Sequence, residues 1–388
     1  MGSAVIVDAV RTATGKGKPG GGLSGVHPVD LFATTLRALV ERTGLDPAQV
    51  DDVIGGCVTQ VGEQAFNVTR HAVLAAGFPD HVPGVSIDRQ CGSSLQAVQF
   101  AAALVMSGVQ DVVVAGGVES MSRVPMFSSL AGADPRGPLL QARYPDGLVD
   151  QGVSAELIAA RWGFSRGQLD EFAAGSHEKA AAAQKDGAFD DEIIAVDGHT
   201  RDEGIRPGTT VQRLAGLAPA FRTDELARRF PEITWSITAG NASPLTDGAS
   251  AALVMSEERA DALGLTPRAR IRAMAAVGSD PLLMLTGVIP ATEKALAKAG
   301  LTIDDIDAYE VNEAFAPVPM AWAREVHADP ARLNIRGGAI ALGHPLGGTG
   351  TKLVSTLLRV LESTGGRTGL IAICEGGGMA NALILERP

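Results

Sequence analysis

Two cysteines and one histidine stand in surroundings that favour chemistry. Cys91 lies in DRQCGSSLQA (88–97), at the head of an Ala/Leu-rich helical stretch. The small residues after it let a helix begin abruptly. The free N–H groups and positive dipole end at that start would favour thiolate over thiol, which makes Cys91 a candidate nucleophile. Taken alone, Cys91 fits a buried, inert thiol as well, since that is the common fate of the residue type. His344 changes the balance. In GGAIALGHPLGGTG (337–350) it is followed by Pro345 and enclosed by Gly343 and the Gly347-Gly348 pair. Peptide N–H groups can approach a ligand closely there, and the ring has no apolar face to fill. Such an imidazole can take a thiol proton and then donate to a developing oxyanion. Cys374 ends an apolar run and precedes Gly376-Gly377-Gly378, a loop whose N–H groups can form a second anion nest. Cys57 has similar surroundings but no partner in any site motif, and reads as structural.

Val-rich runs alternate with Ala/Leu-rich helical stretches, which reads as α/β with largely parallel, buried strands. Strands are expected at Ala4 to Val10, Val53 to Cys57 and Asp111 to Ala115, with helices at Pro28 to Thr43 and Ser94 to Met106. From about Glu119 to Ala239, Pro, Arg and Asp become frequent, and helices at Ser154 to Trp162 and Leu169 to Asp186 lie among loops. This segment reads as an inserted, surface-facing subdomain. Alternation resumes with Ala249 to Met255 and Arg268 to Val277. It continues through Pro290 to Gly300, Ile306 to Val311, Lys352 to Leu361 and Gly369 to Cys374. The halves echo one another: Cys91, a helix, then DVVVAGG; His344, a helix, then GLIAICEGGG. A duplicated layout would bring both helix starts to one cleft, although regularity common to all α/β chains would look similar.

The chain has 388 residues, 45% of them hydrophobic and 20% charged, which excludes disordered and fibrous classes. With 47 glycines and 4% aromatics, many backbone positions call for glycine's freedom, as in α/β enzymes with glycine loops at the site. A net charge of −11 without any basic block gives no footprint for nucleic acid or an anionic membrane. Three cysteines without a C-x-x-C pair speak for a reducing compartment. The start MGSAVIVDAVR reads as a first strand rather than a leader, the tail ILERP is no peroxisomal address, and no apolar run is long enough for a membrane span. A cytoplasmic protein is expected.

In the segment around Cys91, GGVESMSRVP (116–125), TAGNASPLTDGAS (238–250), NEAFAP (312–317), GGAIALGHPLGGTG and the terminal CEGGG, the sequence resembles the thiolase family across essentially its whole length. The resemblance implies a five-layered αβαβα fold of two similar halves with an inserted loop domain, assembled as a dimer or dimer of dimers. The corresponding divisions are residues 1–118 and 241–265 for the N-terminal half, 119–240 for the inserted loop and CoA-binding subdomain, and 266–388 for the C-terminal half. It implies that Cys91, deprotonated by His344, attacks a 3-ketoacyl-CoA, and that Cys374 protonates the departing enolate and later activates CoA. His344 with a water held by Asn312 would form one oxyanion hole, and the N–H groups of Cys91 and Gly376 the other. No metal or covalently bound cofactor is implied; coenzyme A is substrate, contacted at Arg206, Phe221, Ala239, Ser243, Met284 and Phe315.

Some positions depart from the family's common pattern: Ser94 for Gly, Thr349 for Ser, Lys352 for Arg, Ala380 for Gly. None removes a catalytic group. Acetoacetyl-CoA-forming biosynthetic members carry a His-Met pair where Asp150-Gln151 stands here. That favours a degradative enzyme with a different, bulkier acyl group over the biosynthetic alternative. CGSS and CEGGG-x-A-N look like actinobacterial-type degradative members, some of which act on steroid-derived acyl-CoAs. Two remoter alternatives are a ketosynthase-type condensing enzyme, which needs a second site histidine with no candidate here, and a non-catalytic acyl-CoA-binding relative, which would have lost one of the three reactive residues. G-x-G-x-x-G at 15–20 runs into Pro19 and more glycines instead of a helix. G-x-S-x-G at 163–167 follows a helix, with Ser165 and Gln168 placed as a capping box. The histidines at 27, 71, 81, 177, 199, 327 and 344 show no metal spacing.

Overall fold

The computed structural model describes residues 2–388. β1 (Ala4–Thr12) is buried along its whole length, Asp8 and Arg11 included. α1 (Pro28–Thr43) is bounded by local chemistry: the His27 side chain accepts from the Val29 N–H, Pro28 sits where no helical N–H is needed, and Gly44 stops the helix at φ 67°. β2 (Asp52–Gly56), α2 (Val68–Ala75) and β3 (Gly84–Ile87) follow, then α3 (Ser93–Met106) and β4 (Val112–Ser120). The chain next runs through the inserted segment, which carries α4 (Gln151–Trp162) and α5 (Arg166–Lys185), before β5 (Thr246–Ser256) completes the first half. The second half consists of β6 (Ala269–Gly278), α6 (Val288–Ala299), β7 (Ala308–Val311), α7 (Pro317–Glu325), α8 (Thr349–Thr364), β8 (Thr368–Glu375) and β9 (Met379–Glu386).

The strands run in the order β3-β2-β4-β5-β1-β6-β9-β8-β7. The strands of the two halves join where β1 pairs β6, through Val5↔Arg270 and Ile6↔Ala269. Three apolar clusters stack the layers. α1 and α2 pack on the outer face of the first half, and α6 and α7 on the outer face of the second. α3 and α8 lie between, burying Leu95, Val98, Leu353 and Leu357 against both halves. The result is α-β-α-β-α, with α3–β4 and α8–β8 in matching places, as the echo in the sequence suggested.

The strands are not largely parallel. β2/β3, β2/β4 and β7/β8 are parallel, but β4/β5, β5/β1, β8/β9 and β9/β6 are antiparallel. Connection explains this: β5 re-enters antiparallel to β4 after the insertion, and β8 folds directly onto β9 over Gly377 and Gly378 at φ +83° and +78°. The insertion is held by ion pairs inside the protein. Arg11 on β1 binds Glu192 at 2.6 Å and Asp202 at 2.8 Å, and Asp202 also accepts from the Thr14 N–H at 2.8 Å. Ser165 and Gln168 form the expected capping box of α5. Among the described residues, no helix is long and apolar enough to cross a membrane.

Candidate active site

The N-termini of α3 and α8 touch, which is why residues far apart in sequence share a site. The Thr351 N–H donates to Ser94 Oγ at 3.1 Å, and Gly350 packs on Leu95 so closely that an added methyl would lie 2.6 Å from the Leu95 Cα. The loop ahead of α8 is cradled by glycines from two strands: a methyl on Gly56 would meet the Gly347 carbonyl oxygen at 2.6 Å, and one on Gly117 the Gly347 carbonyl carbon at 2.7 Å. Glu119 ties the same loop down. Its buried carboxylate accepts from the N–H groups of Val58 and Thr59, both at 3.0 Å, from Gly347 at 2.9 Å and from Gln64 Nε2 at 2.9 Å.

His344 is buried and its tautomer follows from its neighbours. Thr349 donates its hydroxyl proton to the Pro345 carbonyl at 2.9 Å, so its oxygen, 2.6 Å from His344 Nδ1, accepts, and Nδ1 carries the hydrogen. Nε2 is then a bare acceptor, approached by Asn312 Nδ2 at 3.3 Å. Burial, reinforced by the Lys352 ammonium, pushes the imidazole down to about 3. The ring is therefore neutral at ordinary pH, with its lone pair at Nε2 accepting from Asn312 Nδ2. Lys352 holds the loop by donating from Nζ to the Gly343 carbonyl at 3.0 Å. The Asn312 Oδ1, buried, accepts from no protein group.

The N–H groups of Cys91 and Gly376 both donate toward the Cys91 sulfur. The expectation of a ready thiolate fails, however. Burial and the nearby Glu375 carboxylate outweigh these donors and push the thiol up to about 12. At rest Cys91 is a thiol and His344 a neutral imidazole, so proton transfer has to accompany attack. Cys374, at the end of β8, lies near enough to Cys91 for the two to repel as thiolates; its thiol is raised by burial first and by Cys91 next. Cys57 is buried in the outer apolar cluster under α1, its backbone against Gly347 of the His344 loop.

The structure thus groups Cys91, Cys374 and Gly376 with one another and His344 with Asn312, across the touching starts of α3 and α8. The residues expected at coenzyme A fall into two places. Phe221 and Phe315 meet edge to face with centroids 5.9 Å apart. Ala242 bridges Phe315, and the next N–H, that of Ser243, donates to the Ala314 carbonyl at 2.9 Å. Met284 packs into the same cluster. Arg206 instead lines a cavity of about 280 Å³ with Lys16, Lys18, Leu245, Thr246 and Gly343, directly beside His344. Ala239 is exposed at the turn closed by the Thr238 N–H on Asn241 Oδ1. Sequence reasoning missed the roles of Glu119, Gln64, Thr349 and Glu375. The only signal was that Glu119 and Glu375 sit in glycine-flanked motifs.

Two family models match in tandem, the thiolase N-terminal domain over residues 4–258 and the thiolase C-terminal domain over residues 265–387. The chain is 50% identical to a steroid 3-ketoacyl-CoA thiolase of Mycobacterium tuberculosis, covering 100% of this chain and 95% of the relative. It is 42% identical to a 3-ketoacyl-CoA thiolase of Pseudoalteromonas translucida, over 100% and 99%. It is 43% identical to another of Escherichia coli, over the full length of both.

Proposed function

We propose that this chain, which belongs to the thiolase family, works its buried pair of cysteines and its histidine as the acyl-transfer site of a degradative 3-ketoacyl-CoA thiolase. The reaction is thiolytic: a 3-ketoacyl-CoA and CoA give acetyl-CoA and an acyl-CoA two carbons shorter. In the roles we assign, His344 Nε2 takes the Cys91 proton as the sulfur attacks the 3-oxo carbon. The N–H groups of Cys91 and Gly376 receive the oxyanion. Collapse breaks the C2–C3 bond, and Cys374 gives its proton to the enolate of acetyl-CoA, which His344 and Asn312 stabilise at its oxygen. The Cys374 thiolate then takes the proton of CoA-SH. The CoA thiolate attacks acyl-Cys91, and the released Cys91 sulfur recovers its proton from His344. In the first half the leaving group is the enolate of acetyl-CoA, stabilised at its oxygen and protonated by Cys374, and in the second one thiolate replaces another, so neither leaving group departs unstabilised.

The observation that carries this reading is the tautomer of His344, whose unprotonated Nε2 accepts from Asn312 Nδ2 and is the basic atom we assign to take the Cys91 proton. For coenzyme A we assign residues 119–240 as the covering segment, with the Phe221–Phe315 pair, Ala239, Ser243 and Met284 along the pantetheine and Arg206 toward the nucleotide. The Asp150-Gln151 pair at the start of α4 supports an acyl group bulkier than acetoacetyl, as does the likeness to a steroid thiolase. A homo-oligomer is supported by β3, an edge strand with exposed Val85 and with Phe66 89% exposed beside it. Three unpaired cysteines suit a reducing cytoplasm. The test is intact mass after mixing with a 3-ketoacyl-CoA without free CoA. An acyl adduct that maps to Cys91, clears on adding CoA and is absent in Cys91→Ala is expected; turnover with no adduct on Cys91 would overturn the assignment.

A further inference from the structure

One acidic group in the site has no part in those steps. Glu375 follows Cys374 on β8 but points to the opposite face, toward the start of α3. There it shares the space beside Gly92 with Asn381 of β9: a methyl on Gly92 would collide with Glu375 Oε1 and lie 2.8 Å from Asn381 Oδ1. Both side chains are wholly buried. Asn381 Nδ2 donates to the Gly92 carbonyl at 3.0 Å, which fixes its amide and leaves Oδ1 as an acceptor. Glu375 Oε1, Glu375 Oε2 and Asn381 Oδ1 are then three neighbouring buried acceptors without a protein donor among them. Three adjacent lone-pair groups in an apolar interior repel, and a single proton resolves the arrangement.

We propose that Glu375 is a positioning residue that works as a neutral carboxylic acid, donating its proton to Asn381 Oδ1, so that the two side chains brace Gly92 under the nucleophile and keep a second negative charge away from Cys91. The proposal rests on Cys91 being the nucleophile. The charged groups around it agree. Burial moves the Glu375 carboxyl up to about 8; Arg89, in the loop before α3, pulls the other way, while Asp88 in that loop adds to the rise. Glu375, when ionised, would oppose thiolate formation at Cys91 and at Cys374, and Glu119 acts on Cys91 in the same sense. Ionisation of Glu375 at alkaline pH therefore makes Cys91 a weaker nucleophile just where a thiol ordinarily gains reactivity.

The test is the pH dependence of iodoacetamide alkylation at Cys91, followed by the mass of its peptide in wild type and Glu375→Gln. The amide supplies the same neutral donor without the charge. Equal rates are expected near pH 6.5, with the variant rising to about tenfold faster by about pH 9.5, the displacement of one pH unit that one nearby charge brings. A ratio that stays flat across pH, a variant slower at every pH, or a Glu375→Gln chain that fails to fold would each overturn the proposal. Glu375→Met provides a second arm: the same alkaline gain with a lower melting temperature, because Asn381 loses its donor; no alkaline gain there counts against the role. Alkylation needs no turnover, so failure here is distinguishable from a missing acyl adduct on Cys91.

Discussion

Substituting Gly350 by alanine attacks the contact that makes one site of two helix starts. The added methyl would overlap the Leu95 N and lie 2.6 Å from its Cα, against backbone that cannot swing aside as a side chain can. Overpacking a core typically costs about 1–3 kcal/mol, and a backbone-to-backbone clash belongs at the upper end, so about 3 kcal/mol is expected. For a fold of this size that lowers the melting temperature by roughly 4 °C. Activity should suffer further, because α8 carries the His344 loop and α3 carries Cys91. A shift of about 1 Å between them costs roughly 100-fold in kcat. Gly175→Ala is the control: nothing lies within 4 Å of the added methyl in the middle of α5. It should stabilise by about 0.5–1 kcal/mol and leave kcat alone. Calorimetry and steady-state thiolysis on folded protein read both variants. Gly350→Ala with a melting temperature within 2 °C of wild type and kcat within about twofold would refute the reasoning.

Thr349→Val leaves the His344 Nδ1–H without its acceptor in a buried place, at about 2 kcal/mol, and should lower kcat roughly 30-fold, with Thr349→Ser restoring most of it; an unchanged kcat in the valine variant would contradict the tautomer. Cys374→Ser should slow exchange of solvent protons into the methyl of acetyl-CoA more than it slows acyl exchange from a simple thioester; equal slowing of both would remove Cys374 from the proton step. His344 also bears on stability. Its folded value of about 3 lies below the unfolded value of about 6.5, so the unfolded chain takes up a proton first and stability falls as pH drops from about 6.5 toward 3. Between pH 6.5 and 5 wild type should lose about 1–2 kcal/mol more than His344→Gln in urea titrations; parallel losses would mean that the ring is not held neutral.

Much of this was legible where the determining chemistry is local. α1 runs over the expected residues because Pro28 and Gly44 mark its ends, and the α5 capping box is written in Ser165 and Gln168. The helix starts after Cys91 and His344 were legible because each of these residues precedes a run of small residues that opens a helix. What escaped depends on partners distant in the chain. β9 was not foreseen, since Met379–Glu386 gains its meaning only when Ala380 pairs Cys374 and Val277. The antiparallel turn of β5 depends on where the insertion returns. The thiol of Cys91 was expected to ionise from its helix start alone, whereas its environment is set by Glu375, remote in sequence, and by burial that no local pattern reports.

The account stands on two sulfurs facing one carbonyl, and 1,3-dibromoacetone, with a reactive carbon on each side of a single carbonyl, measures that directly. Digestion and mass spectrometry of the treated native protein should give Cys91 and Cys374 peptides joined through one reagent molecule, with Cys57 unmodified. Separate adducts on the two cysteines, or a link from either one to Cys57, would contradict it.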